Sequence, residues 1–266
     1  MVNVISEVSK ETIYDLLSEG RRVDGRKFTQ YRDITVKTNY ISKANGSALV
    51  SIGNTTVIAG VKAQLSTPFN NSPDEGILII NTESLAVANR NFEHGPPNKF
   101  TVEISRVVDR TIREAPLIDL KELCIIESDK VWKLYVDIYI VDFDGNMMDA
   151  AALGAICALM TTKIPTASCV NNEVTVDEDI LMELPIKNKC TLTTATKINN
   201  QIIYDATYNE EIIMQASLSV GFREDMTLCA MQKCGLDTLQ MDEISRIIKL
   251  SEVKSKELLN IINNLK

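Results

Sequence analysis

Histidine is nearly absent from this chain: His94 is the only one in 266 residues. That excludes any site built on two histidine ligands and leaves little room for histidine general-base chemistry. His94 precedes Gly95-Pro96-Pro97 and reads as a loop residue. None of the six cysteines, Cys124, Cys157, Cys169, Cys190, Cys229 and Cys234, has C-x-x-C spacing. A zinc site would need scattered thiols, so no metal site is expected, and the thiols read as reduced groups of a cytoplasmic protein. The G-x-G-x-x-G, Walker A, H-E-x-x-H and G-x-S-x-G motifs are all missing. The longest apolar run, Ala150–Met160, is far short of the roughly 20 residues that span a bilayer. Met1–Lys10 carries Glu7 and lacks the apolar stretch of a signal peptide, so a soluble, cytoplasmic protein is expected. Net positive charge is lacking as well. At −8, the chain cannot coat nucleic acid by bulk charge, and any such contact must come from a local basic patch or a partner.

What is present is ordinary globular material, 45% hydrophobic and 24% charged, in a chain long enough to bury a large core. Ile13, Leu16 and Leu17 predict a helix over 7–18, stopped by Gly20. Ala48–Ile52 and Thr55–Val61 flank Gly53-Asn54 as a hairpin. Residues 66–76 read as a loop and Ile77–Asn81 as a strand. A helix is expected from Lys99 to Glu114, then strands at Cys124–Ile126 and Val131–Phe143. Asp144-Gly145-Asn146 is a turn, and Asp149 is placed to cap a buried helix over 150–162. Residues 165–185 read as a join between two halves. Strands follow at 190–198, 201–205 and 216–221. A final amphipathic helix runs over 237–266, with Ile244, Ile247, Ile248, Val253, Leu258, Leu259, Ile262 and Leu265 on its apolar face. The mixed order and the hairpins give an α+β class with packed helices. The organisation expected is an N-terminal helix and arm over 1–30, a first half over 31–166 and a second over 186–266, the two halves forming one compact domain.

Three constellations could carry chemistry. Arg106, Arg110 and Arg113 are spaced i, i+4, i+7 and share one helical face, away from Ile104, Val107, Val108 and Ile112. Such a ladder suits phosphate oxygens. It equally suits a solvated face with pairs such as Arg110–Glu114 or Arg106–Glu103. Asp142 and Asp144, with Asp137 and Asp149 nearby, lie two apart at a strand end and could hold magnesium. The competing reading makes Asp144 a turn residue and Asp149 a cap. Finally, Gly20-Arg21-Arg22-Val23-Asp24-Gly25-Arg26, followed by Arg32-Asp33, could meet phosphates or a partner's carboxylates, or be a turn that Asp24 ties to its own backbone.

Taken together, Arg22-Val23-Asp24-Gly25-Arg26, Gly46-Ser47-Ala48-Leu49-Val50, Gly53-Asn54-Thr55, Gly95-Pro96-Pro97, Glu103–Glu114 and Asp142-Phe143-Asp144-Gly145-Asn146 resemble the RNase PH-like family across nearly the whole chain. The run from Gly20 to Arg26, with Gly46-Ser47-Ala48, Pro68-Phe69 and Val107-Val108-Asp109-Arg110, is most similar to the non-catalytic RNase PH-like branch of the archaeal exosome. The resemblance implies the RNase PH-like fold. It also implies a hetero-hexameric ring with a catalytic RNase PH-like subunit, three of each, capped by RNA-binding subunits. Single-stranded RNA would be degraded 3′→5′ by phosphorolysis at the partner's site. The chain itself would need no cofactor, inorganic phosphate being used by the partner, with magnesium admitted in the complex.

Departures from the active pattern point the same way. Active members carry a Gly-Thr/Ser-Arg phosphate-binding turn where this chain has Asn146-Met147-Met148. They carry a late carboxylate where Met214-Gln215-Ala216-Ser217 places Ser217. The resemblance therefore implies no catalytic residue, with Arg106 and Arg110 as RNA contacts and Arg113 one turn further along. An active nuclease using Asp205, Glu210 or Glu211, a magnesium enzyme at Asp142 and Asp144, and a scaffold without RNA contact stay open as alternatives.

Overall fold

The computed structural model describes residues 7–170 and 173–265. The first six residues of the expected arm, and Lys266 at the end of the expected final helix, lie outside the described residues. Helix α1, Glu7–Ser18, buries Ile13 and Leu17, and Gly20 beyond it sits at φ +77°.

The first sheet holds β1 (Ile34–Thr38), β2 (Gly46–Ile52), β3 (Thr55–Ser66), β4 (Ile77–Ser84), β5 (Cys124–Ile126) and β6 (Lys130–Asp142). Its order is β1-β2-β3-β6-β4, with β5 on β6. Only β4 runs parallel to its neighbour. The predicted hairpin turns at Gly53-Asn54, with Ile52 opposite Thr55. Alternate residues of β3 are buried, as period-2 patterning requires of a sheet with one covered face.

Helix α2 (Lys99–Glu114) and helix α3 (Met147–Met160) cover that face. Asn98 caps α2, accepting hydrogen bonds from the N–H groups of Phe100 and Thr101. Every residue of α3 from Met147 to Leu159 is buried, because the helix is enclosed on both sides. Beyond it lies the second sheet, order β10-β9-β11-β12, built from β9 (Cys190–Ile198), β10 (Gln201–Tyr204), β11 (Ala216–Arg223) and β12 (Leu228–Gly235). A short helix α4 (Tyr208–Ile212) joins β10 to β11, and α5 (Met241–Asn263) packs on the outer side of β9 and β11. Strand β9 is buried along both faces, since α3 lies on one and α5 on the other. The layers are therefore sheet, helices, sheet, helix.

Several expectations are corrected. Residues 165–185 are not a plain join. Residues 165–170 and 173–183 belong to a ribbon of β7 (Lys163–Val170) and β8 (Glu173–Glu183), and 171 and 172 lie outside the described residues. Strands β1 and β12 are edge strands with mixed burial, which weakened their pattern. Val253 is 52% exposed and off the apolar face of α5, whose buried line runs instead through Ser251 and Ser255. Helix α3 begins at Met147, and its N-cap is Asn146 in the left-handed region at φ +53°, with no side-chain cap. Asp149 does not cap it.

The approach to α3 depends on Gly145, at φ +80°. A Cβ there would lie 2.3 Å from the Ala206 carbonyl oxygen and 2.7 Å from the Tyr208 nitrogen. Gly145→Ala is therefore expected to cost about 2–4 kcal/mol, combining left-handed strain with a backbone clash. Gly60→Ala, where a Cβ meets nothing within 4 Å, is expected to be near neutral. Urea unfolding of the two variants measures the contrast, and equal midpoints would contradict it.

Candidate functional site

Two of the three arginines of the Gly20–Arg26 motif, Arg22 and Arg26, turn inward. Arg22 is 2% exposed. It pairs in bidentate fashion with Glu210, Nε to Oε1 at 2.9 Å and Nη2 to Oε2 at 2.6 Å, and also donates to the carbonyls of Tyr204 and Asp205. Arg26 donates to Asp24 Oδ2 at 2.7 Å and to Asp205 Oδ2 at 2.8 Å. The Asp24 turn forms as expected, Oδ1 accepting from the Arg26 N–H at 3.1 Å. Arg21 stays at the surface, paired with Glu19.

Asp205 is the centre of this junction. It is fully buried, at φ +50°. Besides Arg26, its carboxylate accepts from Arg32 N, Nε and Nη2 at 2.7, 2.9 and 2.8 Å, and from Asn146 Nδ2 at 2.8 Å. Arg32 continues to the carbonyls of Asp144 and Gly145. Burial pushes the Asp205 carboxyl up, but the Arg32 hydrogen bonds and charge outweigh it and hold the group below the usual carboxylate range.

The N-terminus of α3 lies next to this junction. Helix N-termini favour anions, but Met147 and Met148 fill the first turn, 1% and 9% exposed. The N–H of Asn146 is taken by Glu211 Oε1 at 2.7 Å. Burial pushes the Glu211 carboxyl up to about 7, against that hydrogen bond and the Arg32 charge. Asp149 accepts from Tyr31 Oη at 2.5 Å and from the Thr194 N–H and hydroxyl at 3.1 and 2.7 Å. Burial raises it to about 6. Ser217, in β11 opposite Thr196 and Cys234, is 7% exposed.

Helix α2 presents a different surface. Val107, Val108, Ile104 and Ile112 are buried, while Arg106, Arg110 and Arg113 are exposed. Arg106 and Arg110 line one groove with Lys99, Val102, Glu103 and Gln232. Among the described residues, neither guanidinium has a hydrogen-bond or ion-pair partner. The pairs Arg110–Glu114 and Arg106–Glu103 do not form. Glu103 instead accepts from Cys234 Sγ at 2.8 Å. Arg113 is engaged, donating to Asp109 at 2.7 Å and to the Leu78 carbonyl at 3.2 Å.

The acidic constellation disperses. Strand β6 ends at Asp142, so strand alternation does not carry Asp144 to the same side. Asp144 is engaged with Arg32, Asn54 and the Tyr208 N–H, and Asp137 accepts from Asn81. Sequence reasoning missed one feature, the rings of Phe92, Phe100, Phe143 and Tyr208 around a common cavity. Their separation along the chain leaves no local signal.

Two consequences follow for stability. Asp205→Asn removes the counter-charge of two largely buried guanidiniums and is expected to cost about 3–5 kcal/mol at pH 7. Chemical denaturation measures this, and a loss under about 1 kcal/mol would contradict the junction. Glu211 shows the opposite sign. Its folded value of about 7 lies above the ordinary 4.5, so the folded state holds a proton that the unfolded state releases. Stability from this group is full below about pH 4.5 and is lost as pH rises toward and through 7. Glu211→Gln should match the wild type near pH 4.5 and exceed it by roughly 3 kcal/mol at pH 8. Parallel pH profiles would rule this out.

Residues 30–165 match domain 1 of the 3′ exoribonuclease family, RNase PH, and residues 191–254 match domain 2. The chain is 41% identical to the exosome complex component Rrp42 of Methanothermobacter thermautotrophicus, over 98% of this chain and 97% of that protein. It is 42% identical to the protein of the same name from Methanocella arvoryzae, over 96% of each. Among solved structures it superposes on a chain of the Archaeoglobus fulgidus exosome with RNA bound to the active site, with a TM-score of 0.89 and 34% identity over 96% of this chain and 97% of that one. It also superposes on a chain of an archaeal exosome core, TM-score 0.86 at 32% identity, covering 97% of each. With both family domains matched in order and relatives similar over their full length, the chain belongs to the 3′ exoribonuclease, or RNase PH, family.

Proposed function

We propose that this chain is a non-catalytic, RNA-gripping subunit of an exosome ring. The observation that carries the reading is the division between two sites. Among the described residues, Arg106 and Arg110 stand exposed and unpaired on α2, whereas the α3 N-terminus is occupied by two methionines and the Glu211 carboxyl group. One surface can hold a phosphodiester backbone, and the place where a phosphate would have to be activated cannot hold it. The relatives' names, exosome complex components, and the solved exosome with RNA at its active site support the same reading.

In this reading, the chain alternates with a catalytic RNase PH-like partner in a hexameric ring, three of each, that carries RNA-binding cap subunits. The partner uses inorganic phosphate to shorten single-stranded RNA from its 3′ end, releasing nucleoside diphosphates. Magnesium belongs to the complex, and this chain needs no cofactor. Arg106 and Arg110 sit one helical turn apart, about 6 Å along the axis, and hold phosphate oxygens with little regard to sequence. Arg113 joins them as a third contact by exchanging Asp109 for phosphate. We place the protein in the cytoplasm, where its six free thiols stay reduced.

Activity in its own right is less well supported. Asp205 and Glu210 are neutralised by Arg26, Arg32 and Arg22, and Glu211 is committed to the backbone of Asn146. The scaffold reading gives no reason for two unpaired guanidiniums on one face of α2.

The double variant Arg106→Glu, Arg110→Glu is expected to weaken RNA binding by the assembled ring at least tenfold, leaving the ring intact by sedimentation. Losing two phosphate contacts should also lower the salt slope by about 1.4. Wild-type RNA affinity in this variant would remove the direct contact.

A further inference from the structure

A cavity of about 560 Å³ opens beside the arginine groove, among the loop before α2, the residue after β6 and α4. Its size is within the range of small-ligand sites. Phe92, Phe100, Phe143 and Tyr208 line it, a concentration of rings in a chain that is 5% aromatic. Phe92 and Phe143 stack on one another, centroids 5.4 Å apart and planes 19° apart. Tyr208 meets the Phe143 ring edge-on at 5.4 Å, and its hydroxyl accepts from Asn91 Nδ2 at 2.8 Å. Three rings are thus fixed by one another and by a hydrogen bond. Phe100 is tilted 55° to Phe143 at 6.4 Å and 40% exposed, so it is in parallel stacking contact with none of the other three.

The polar members of the wall narrow the ligand. Lys99 lines both this cavity and the groove of Arg106 and Arg110, which connects a cation-lined track to an aromatic recess. Glu211 offers a carboxyl that can hydrogen-bond the edge of a flat ring. A purely apolar ligand would leave Lys99 and the second oxygen of Glu211, whose Oε1 already accepts from the Asn146 N–H, without a polar contact from the ligand. A planar heterocycle with a polar edge, joined to a phosphate, uses all of them.

We propose that this cavity takes one nucleobase of the bound strand, with Phe100 as the stacking platform and Lys99 meeting the adjoining phosphate. The proposal deepens the RNA-binding reading and rests on it for the identity of the strand. The base contact itself is testable apart from the arginines, because adenosine carries a base and no phosphate.

The test is saturation-transfer NMR of adenosine with the full chain, comparing wild type, Phe100→Ala and Phe100→Tyr. Phe100 is a surface position of α2, so the alanine variant keeps the fold, checked by circular dichroism. Saturation of the base protons is expected in the wild type, with affinity about tenfold weaker in Phe100→Ala and restored in Phe100→Tyr. No saturation in the wild type, or equal affinity in Phe100→Ala, overturns the base pocket. Failure of the arginine reading shows separately, as unchanged RNA affinity in the Arg106→Glu, Arg110→Glu variant.

Discussion

The buried contact of Asp205 with Arg26, Arg32 and Asn146 is the constraint on which the rest of the molecule depends. Three separate parts of the chain meet in it: the arm after α1, the turn into α3, and the end of β10 in the second half. A carboxylate with no exposed surface is stable only because guanidiniums and amide donors surround it, and those guanidiniums are satisfied only because it is charged. Arg22 and Glu210 repeat the arrangement nearby. The junction therefore holds the arm against the second half and fixes Gly145 and Asn146 at the entrance to α3.

That placement decides what the molecule can do. Arg22 and Arg26 of the densest basic motif are used internally, whereas α2 turns Arg106, Arg110 and Arg113 outward. Arg113 is restrained by Asp109, so the accessible charge is focused at Arg106 and Arg110, with Lys99 at the end of the groove. At the α3 N-terminus the polarity that would attract an anion is answered by Glu211 from within the chain. In a protein of net charge −8, this narrow cationic track fits the proposed subunit that grips a strand for chemistry carried out elsewhere.

Much of this was legible in the sequence. Helix α2 fell at its predicted ends because Asn98 is a good cap and the valine and isoleucine spacing is strongly periodic. The unbroken apolar character of α3 announced burial on all sides. The Asp24 turn followed from local side-chain geometry. Other features depended on distant partners. Nothing near Asp149 signals Tyr31 or Thr194, so it read as a cap. Arg22 and Arg26 read equally well as ligand-binding groups, since their carboxylates lie some 180 residues away. The ribbon of β7 and β8 is largely exposed on β8, and without a buried face it had no periodicity to detect. The aromatic cavity draws its rings from the α2 approach, the end of β6 and α4, a grouping that only the fold creates.

The most direct test of the central claim is nucleoside diphosphate release from single-stranded RNA and inorganic phosphate. It should be measured with the purified chain, with the catalytic partner, and with both. The account predicts no release by the chain alone and more release from the mixture than from the partner by itself. Release by the chain alone would contradict it and return attention to Asp205, Glu210 and Glu211 as catalytic groups.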